Sequence, residues 1–547
     1  MSNSASAFNE RLAELFADSP LRHKSFRMFY IGTIAAALGY MMQATVAAWV
    51  MATLTTSPLV IALVQTASTA PSLVIGLIAG TMADLVDRRR LILINMIVLA
   101  ATTVLLGVLT LFGWINPTLL LLLTFIVGAS FTFYMPAQSA SVNEFVAREE
   151  LPRAIALSSV AYNVARAIGP AAAGFFAALL SSGASLLISA LFFGVMIYAL
   201  AHWKSAERTL PGVPETLVSG VLSGLRYARH SMAMRTLIIR SLTFTICASA
   251  LWALLPVIAR DQLHLGAGGY GLLFTGFGIG AVIGALAVPR QMQQKSLNYV
   301  VTSGVVLWSV ASLLIAATES TVLALLGTGC AGVAWVSVHA SLSTGLQSSA
   351  PAWVRARAVA VGLISVQASL ALGSIVWGTI AQAAGTEIAM ALSAGMLLLL
   401  HLLNRHVRVR MGSEADVTPG AKLPTLILTD EPDPDDGPVL IQVEYRIEPE
   451  RRAEFLRRIQ RLESIRRRNG ATSWRVFRDL GQDDCFVERY VLASWAEYVR
   501  ARGRMTMADR TLVDEIETFQ KAGVPLRVSR LLGVNPRAAS AHPTGAI

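Results

Sequence analysis

Charge is what this chain has least of. Only 14% of its 547 residues are charged, while 54% are hydrophobic. Soluble domains carry about 25% charged residues. A deficit this large, over this length, excludes an ordinary soluble protein and points to one embedded in a membrane. Cysteine is nearly as scarce. Cys247 and Cys330 lie in apolar runs and Cys485 lies in the tail, a spacing that offers neither a disulfide framework nor a metal site. No G-x-x-x-x-G-K-[ST] loop occurs, which excludes a self-contained ATP pump. The opening stretch, MSNSASAFNERLAELFADSP, has no apolar core and reads as a cytoplasmic arm rather than a signal peptide. No Asp or Glu lies deep in any apolar run, although proton-driven exporters commonly carry one there.

What is present is a series of long apolar runs. A helix needs about 20 apolar residues to cross a bilayer. Twelve runs qualify: 28–52, 59–82, 91–113, 118–141, 155–180, 183–203, 236–259, 267–288, 298–317, 321–345, 358–383 and 387–404. The long connection 204–235 splits them six and six, and its segment ETLVSGVLSGLRYARH is periodic enough for an amphipathic helix on the membrane surface. With the N-terminus inside, the inner loops hold fourteen Lys and Arg and the outer loops only Arg260. That bias puts both termini in the cytoplasm. It also explains the net charge of +11 without nucleic acid as a partner. The expected organisation is a cytoplasmic arm (1–27), a six-helix bundle (28–203), a cytoplasmic linker (204–235), a second six-helix bundle (236–404), a linker (405–436), a soluble domain (437–533) and a disordered tail (534–547).

The halves repeat. Shifting the chain by 204 residues lays Arg153 on Arg357, Asn163 on Gln367, Gly169 on Gly373, Gly174 on Gly378, Gly76 on Gly280 and Gly80 on Gly284. A parallel duplication of this kind is typical of transporters that rock two bundles around a midplane site.

Between spans 2 and 3 stands GTMADLVDRRR, a charged knot in an apolar chain. Its arginines anchor span 3 on the cytoplasmic side. Asp84 does little for topology and needs another explanation. The pattern G-x-x-x-D-x-x-x-R-R resembles the loop signature of the major facilitator superfamily, with Gly80, Asp84, Arg88 and Arg89 in its positions. Leu85 and Asp87 depart from it, and the second half keeps Gly284 but not the acid. The resemblance implies a conformational latch between Asp84 and the start of span 11, near Arg355 and Arg357. Longer stretches, among them NVARAIGPAAAG and RARAVAVGLISVQASLALGSIVWG, resemble the transmembrane secretion effector type, a subfamily that includes the enterobactin exporter.

Several residues become candidates on this footing. ARAIGPAAAG in span 5 is similar to a facilitator antiporter motif, so Gly169, Pro170 and Gly174 are expected to form a hinge and seal. Charges within spans default to functional candidates. Arg166 is expected to face the cavity and attract an anionic substrate, or else to be a paired structural residue; Arg240 is nearer the interface, where it can snorkel. Gln43, Gln65, Asn163 and Gln367 are further cavity candidates. For proton coupling the titratable candidates are His339 in span 10 and Asp84; Glu144 also lies at a cytoplasmic end.

After span 12 a Pro- and Asp-rich linker leads to strand-like PVLIQVEYRI, an amphipathic helix, a hairpin around Gly481-Gln482, a helical stretch over 495–520 and the strand LRVSRLLG. The order βαββαβ is that of a ferredoxin-like unit. The domain resembles antibiotic-biosynthesis monooxygenases, which implies homodimerisation through it. It has no metal cluster and no histidine; Trp474, Tyr490 and Trp495 are aromatic residues available either for a pocket or for a core. The expected fold is thus an all-α membrane protein of twelve transmembrane helices in two six-helix bundles, plus a C-terminal α+β ferredoxin-like domain. The expected function is export of a small organic molecule from the cytoplasm across the inner membrane, coupled to protons, with no cofactor. The alternative is a membrane-anchored enzyme or sensor acting through the tail.

Overall fold

The computed structural model describes residues 19–147, 149–203, 217–351, 353–405, 409, 412–420 and 432–534. Twelve long helices carry the apolar runs: α1 Lys24–Leu54, α2 Pro58–Leu85, α3 Arg88–Leu111, α4 Pro117–Ser141, α5 Leu151–Leu179, α6 Ser182–Ala201, α7 Met232–Val257, α8 Ala267–Gln294, α9 Leu297–Ala317, α10 Thr321–Ser348, α11 Arg355–Ala384 and α12 Thr386–Leu403. Among the described residues, eleven are long and apolar enough to cross a membrane. The other, α5, has 29 residues but is less apolar because it carries Tyr162, Asn163 and Arg166. Local chemistry sets the ends. The side chains of Ser57, Asn116, Ser181 and Ser296 accept backbone N–H bonds at the starts of α2, α4, α6 and α9, and Pro opens α2 and α4, where its missing N–H does no harm.

The chain divides into two compact units. The first comprises Met1–Pro214, Ile239–Leu342 and Leu363–Arg408. Short loops make successive helices antiparallel, so odd-numbered helices start at one end of this unit, here named the near end, and finish at the far end. Contacts within each half follow the sequence repeat. A Cβ on Gly169 of α5 would lie 2.7 Å from Met41 Cβ of α1, and one on Gly373 of α11 would lie 2.5 Å from Ile246 O of α7. The pair that the offset also relates, Gly128 and Gly332, does the same: each lets its helix touch backbone carbonyls, at Ser68 of α2 and Phe277 of α8.

Between the halves, backbone meets backbone. A Cβ on Gly174 would lie 2.8 Å from both Ala267 O and Gly271 Cα of α8, and one on Gly278 would meet the Ala167 backbone. Gly378 packs against Leu59 and Ala62 in the same way, joining α11 to α2. Thr66 donates to Ala371 O at 3.0 Å and Ser57 Oγ lies 2.6 Å from Gln382 Oε1. Arg260, just beyond α7, donates to the carbonyls of Ala52 and Thr55 at the end of α1, the latter at 2.7 Å. A cation there satisfies carbonyls that the helix leaves unpaired. These contacts tie the halves together in their far portions.

The second unit comprises Glu215–Ile238, Ser343–Gly362 and Val409–Ile547. Its centre is a four-stranded antiparallel sheet of β1 Val439–Arg446, β2 Ser473–Arg478, β3 Cys485–Leu492 and β4 Arg527–Leu532, in the order β2-β3-β1-β4. Helices Arg452–Ile459 and Arg461–Arg468 join β1 to β2, and Trp495–Gly503 and Met507–Glu517 join β3 to β4. The expected single stretch over 495–520 is therefore broken, and Thr506 caps its second part by a box with Asp509. Strand β1 alternates buried and half-buried residues, and its Val439, Ile441, Val443 and Tyr445 pack with Phe455, Ile459 and Leu462 of the helices. Inside this core Glu488, fully buried, accepts from Trp474 Nε1 at 2.9 Å, Tyr445 Oη at 3.3 Å and Arg466 Nε at 3.0 Å.

Two outcomes follow from this packing. Gly174→Val places branched carbons where two backbones touch, and is expected to lower the stability of the detergent-solubilised protein by about 1–3 kcal/mol, read as a fall in its thermal midpoint; an unchanged midpoint contradicts the close approach. Glu488→Ala strips a buried guanidinium of its partner and is expected to destabilise the tail by about 3–5 kcal/mol. Hydrogen exchange of the β3 amides checks it, and wild-type protection counts against the network.

Candidate functional site

The charged knot resolves into helix-end chemistry. Helix α2 runs three residues beyond the expected boundary, so Gly80 and Asp84 lie in the helix and the turn is only Val86–Asp87. Asp87, one of the departures from the family signature, caps α3, accepting from the Arg89 amide at 2.9 Å. Arg88 is buried and donates to Ala83 O at 3.0 Å, Ala140 O at 2.8 Å and Glu144 Oε1 at 3.1 Å. Glu144 is thus an ion-pair partner. Arg89 donates to Leu200 O at 2.9 Å and Ala201 O at 3.3 Å, closing the last turn of α6. The side chain of Asp84 lies outside the described residues. Arg355 donates to Ala350 O at 3.1 Å and Arg357 to Ser223 Oγ at 3.0 Å.

Arg240, near the start of α7, reaches the end of α12 and does not line the cavity between α1, α2, α4 and α7. It is 4% exposed, and its guanidinium donates to Asn404 O at 2.6 Å and sits 3.1 Å from His401 Nδ1. Its role is to satisfy the carbonyl end of α12, where a cation is favourable.

A cavity of about 40 Å³ lies between α1, α2, α4 and α7, lined among others by Gln43, Gln65, Thr124 and Trp252. Three of these carry buried polar atoms without a partner: Gln43 Nε2, Thr124 Oγ1 and Trp252 Nε1. Buried polar atoms are nearly always hydrogen-bonded, and leaving one unpaired costs about 1–3 kcal/mol. Three such groups line one small space with mixed polar and apolar walls. The space is far below the roughly 300–1,000 Å³ of a site holding a drug-sized molecule, so this portion must widen to bind one. Gln43 and Gln65 were legible as cavity candidates. Thr124 and Trp252 were not, because a lone threonine or tryptophan in an apolar run is ordinary helix composition.

Arg166 and His339, two separate candidates in the sequence, come within electrostatic reach of each other. The His339 ring sits against Trp335, with ring centres 4.0 Å apart, and edge-on to Phe244 at 5.7 Å. Its Nε2 is buried without a hydrogen-bond partner. These rings belong to a larger aromatic cluster with Trp252, Phe277 and Trp308. Asn163 and Gln367 lie half-buried on α5 and α11; neither lines the cavity between α1, α2, α4 and α7. Gly169, Pro170 and Gly174 hold α5 against α1 and α8, the Pro170 carbonyl lying beside Gly271. In the tail, Trp474, Trp495 and Tyr490 are packed into or against the core of the sheet.

Known proteins agree with this architecture. A profile described as transmembrane secretion effector matches residues 16–538. Among curated relatives, the multidrug efflux pump Tap of Mycolicibacterium fortuitum is 26% identical over 347 residues, covering 62% of this chain and 84% of its own length. The staphyloferrin A transporter of Staphylococcus aureus is 25% identical over 228 residues, covering 41% of this chain and 56% of its own. Among solved structures, a bacterial homolog of the human lysosomal transporter Spinster, inward-facing and unoccupied, aligns with a TM-score of 0.59 at 13% identity over 71% of this chain and 98% of its own. The nucleoside transporter NupG aligns with a TM-score of 0.56 at 15% identity, over 70% of this chain and 98% of its own. The chain therefore belongs to the transmembrane secretion effector family and is a multi-pass membrane transporter of the major facilitator fold, not an enzyme.

Proposed function

We propose that the protein exports a small organic molecule, of the siderophore, drug or metabolite class, across the cytoplasmic membrane by alternating access. The observation that carries the reading is the cavity with unpaired Gln43, Thr124 and Trp252. Its walls suit an apolar body, and its three unpaired polar groups suit carbonyl, ether or hydroxyl oxygens. The contacts in the far portions, from Arg260 to Gly174, support a state closed at that end. The fourteen-to-one excess of basic residues in near-end loops supports a cytoplasmic near end. Loading from the cytoplasm and release after the far end parts would then be export. The efflux and siderophore relatives fit this direction.

Arg166 adds charge selection. Among the described residues it has no hydrogen bond or ion pair, and no acid lies deep in a span. An acidic substrate supplies the missing counter-charge. Proton coupling, which the family resemblance implies, is kept in this reading with His339 and Asp84 as the candidate carriers. The latch pairs Asp84, in the last turn of α2, with the start of α11 at Arg355 and Arg357. In the tail, the strand order β2-β3-β1-β4 with helical connections supports a ferredoxin-like unit, and its exposed sheet face supports pairing of two copies.

Efflux from cells against a panel of siderophores and amphipathic drugs tests the reading. Gln43→Ala and Trp252→Ala are expected to slow efflux of one compound about 10-fold or more with normal insertion, as loss of one or two hydrogen bonds implies. A protonophore is expected to abolish that efflux. Wild-type rates in both variants sink the cavity, and efflux that persists under protonophore sinks the coupling. Asp84→Asn is expected to slow efflux without affecting insertion; an unchanged rate removes the latch.

A further inference from the structure

Three stretches far apart in sequence converge in the second unit: the linker helix Leu217–His230, the turn between α10 and α11, and the tail. Tyr227 touches all three. It is 2% exposed. Its hydroxyl donates to Ser349 O at 3.1 Å, its ring stands edge-on to Trp353 at 5.8 Å, and the Arg468 guanidinium of the tail lies 5.5 Å from its centre. Beside it, Arg504 of the tail lies 4.4 Å above the Trp353 ring and donates to Glu497 at 2.8 Å. Glu497 also faces Arg226 of the linker helix at 3.7 Å and Arg500 at 2.9 Å. Across the linker helix, Gly224 lets the start of α11 approach: a Cβ there would lie 2.9 Å from Arg357 Cβ. The linker helix's buried face, Ser223, Gly224, Tyr227 and Ala228, is therefore covered by protein.

The chemistry of this seam is that of a docking contact. Stacked guanidinium and ring pairs out of water are strong, and buried ion pairs hold one geometry. Burial pushes the Glu497 carboxyl up, but Arg504 and hydrogen bonds from Arg504 and Arg500 bring it below the usual carboxylate range, so it is charged at neutral pH. Yet the seam is incompletely satisfied. Ser349 Oγ, Trp353 Nε1, Arg468 Nε and Asn469 Oδ1 are buried without a partner. Permanent cores pair nearly all such atoms; a contact that is made and broken need not.

We propose that the tail is a clasp: through Glu497, Arg504 and Arg468 it fastens the linker helix to the α10–α11 turn, and by holding Arg357 against that helix it sets when the start of α11 is released during transport. The clasp rests on the transport reading only for its effect on efflux; the docking stands without it. No other segment supplies this bridge among the described residues, so loosening the tail loosens both other segments together.

Hydrogen exchange of the full-length protein, read by peptide, separates the possibilities. Glu497→Lys reverses the charge at the hub, and Trp353→Leu removes the stacked ring without touching the tail. Arg461→Ala, exposed on the tail, is the control. Both hub variants are expected to speed exchange over 217–230 and 343–362 about tenfold, with β1 and β3 still protected and the control unchanged. Wild-type exchange in both segments overturns the clasp. If Glu497→Lys also exposes β1 and β3, Trp353→Leu alone decides by the same criterion. Efflux is then measured for the loosened variants: a changed rate at normal insertion supports control of transport, and an unchanged rate overturns it. Absence of efflux in the wild type condemns the transport reading instead, while the exchange result still judges the docking.

Discussion

Where Gly174 meets Gly271, two helices from opposite halves touch backbone to backbone, and most of the membrane part depends on contacts of this kind. Inside a bilayer there is no hydrophobic force to press helices together, because lipid is as apolar as leucine. Close approach and interhelical hydrogen bonds must do it. Small residues therefore stand at every crossing described: Gly169 on α1, Gly373 on α7, Gly278 on Ala167. The duplicated halves use the same device twice. One set of contacts builds each bundle, and the other joins the bundles at their far portions.

That constraint shapes the site. Close-packed apolar helices leave little room for polar groups, so those that remain have either structural partners or none. Arg88, Arg89, Arg240 and Arg260 all satisfy carbonyls at helix ends. These four cations look alike in the sequence and do the same work at different places. Gln43, Thr124, Trp252 and His339 are of the other kind, with buried atoms left unpaired. An unpaired buried donor destabilises the resting protein, and a ligand that pairs with it recovers that loss. The same division reaches the tail, where Glu488 is fully paired within the core while the Tyr227 seam is not.

The long apolar helices, eleven of them fit to span a membrane among the described residues, the glycine offset, the order of elements in the tail and the family were legible before any coordinate. Each is a consequence of local chemistry repeated along the chain: apolar length makes a span, a 204-residue offset aligns glycines that serve equivalent crossings, alternation makes β1. The candidate site was only partly legible. Gln43 and Gln65 stand out because an amide in an apolar run is unusual. Thr124 and Trp252 do not, since each is ordinary where it stands. Arg166 and His339 were each visible, but their nearness depends on how α5 and α10 pack.

Sequence by itself determined which segments enter the membrane, because the cost of burying charge accrues residue by residue. It determined helix ends too, through caps such as Ser57 and Asp87. Only the tertiary structure decided what each charge is for. Arg240 belongs to α12 and Arg88 to Glu144 because packing brings those carbonyls and that carboxylate within reach, from 164 and 56 residues away. Only the tertiary structure likewise set what lies against Ser223, Gly224, Tyr227 and Ala228 of the linker helix, because those contacts come from segments far away in the sequence.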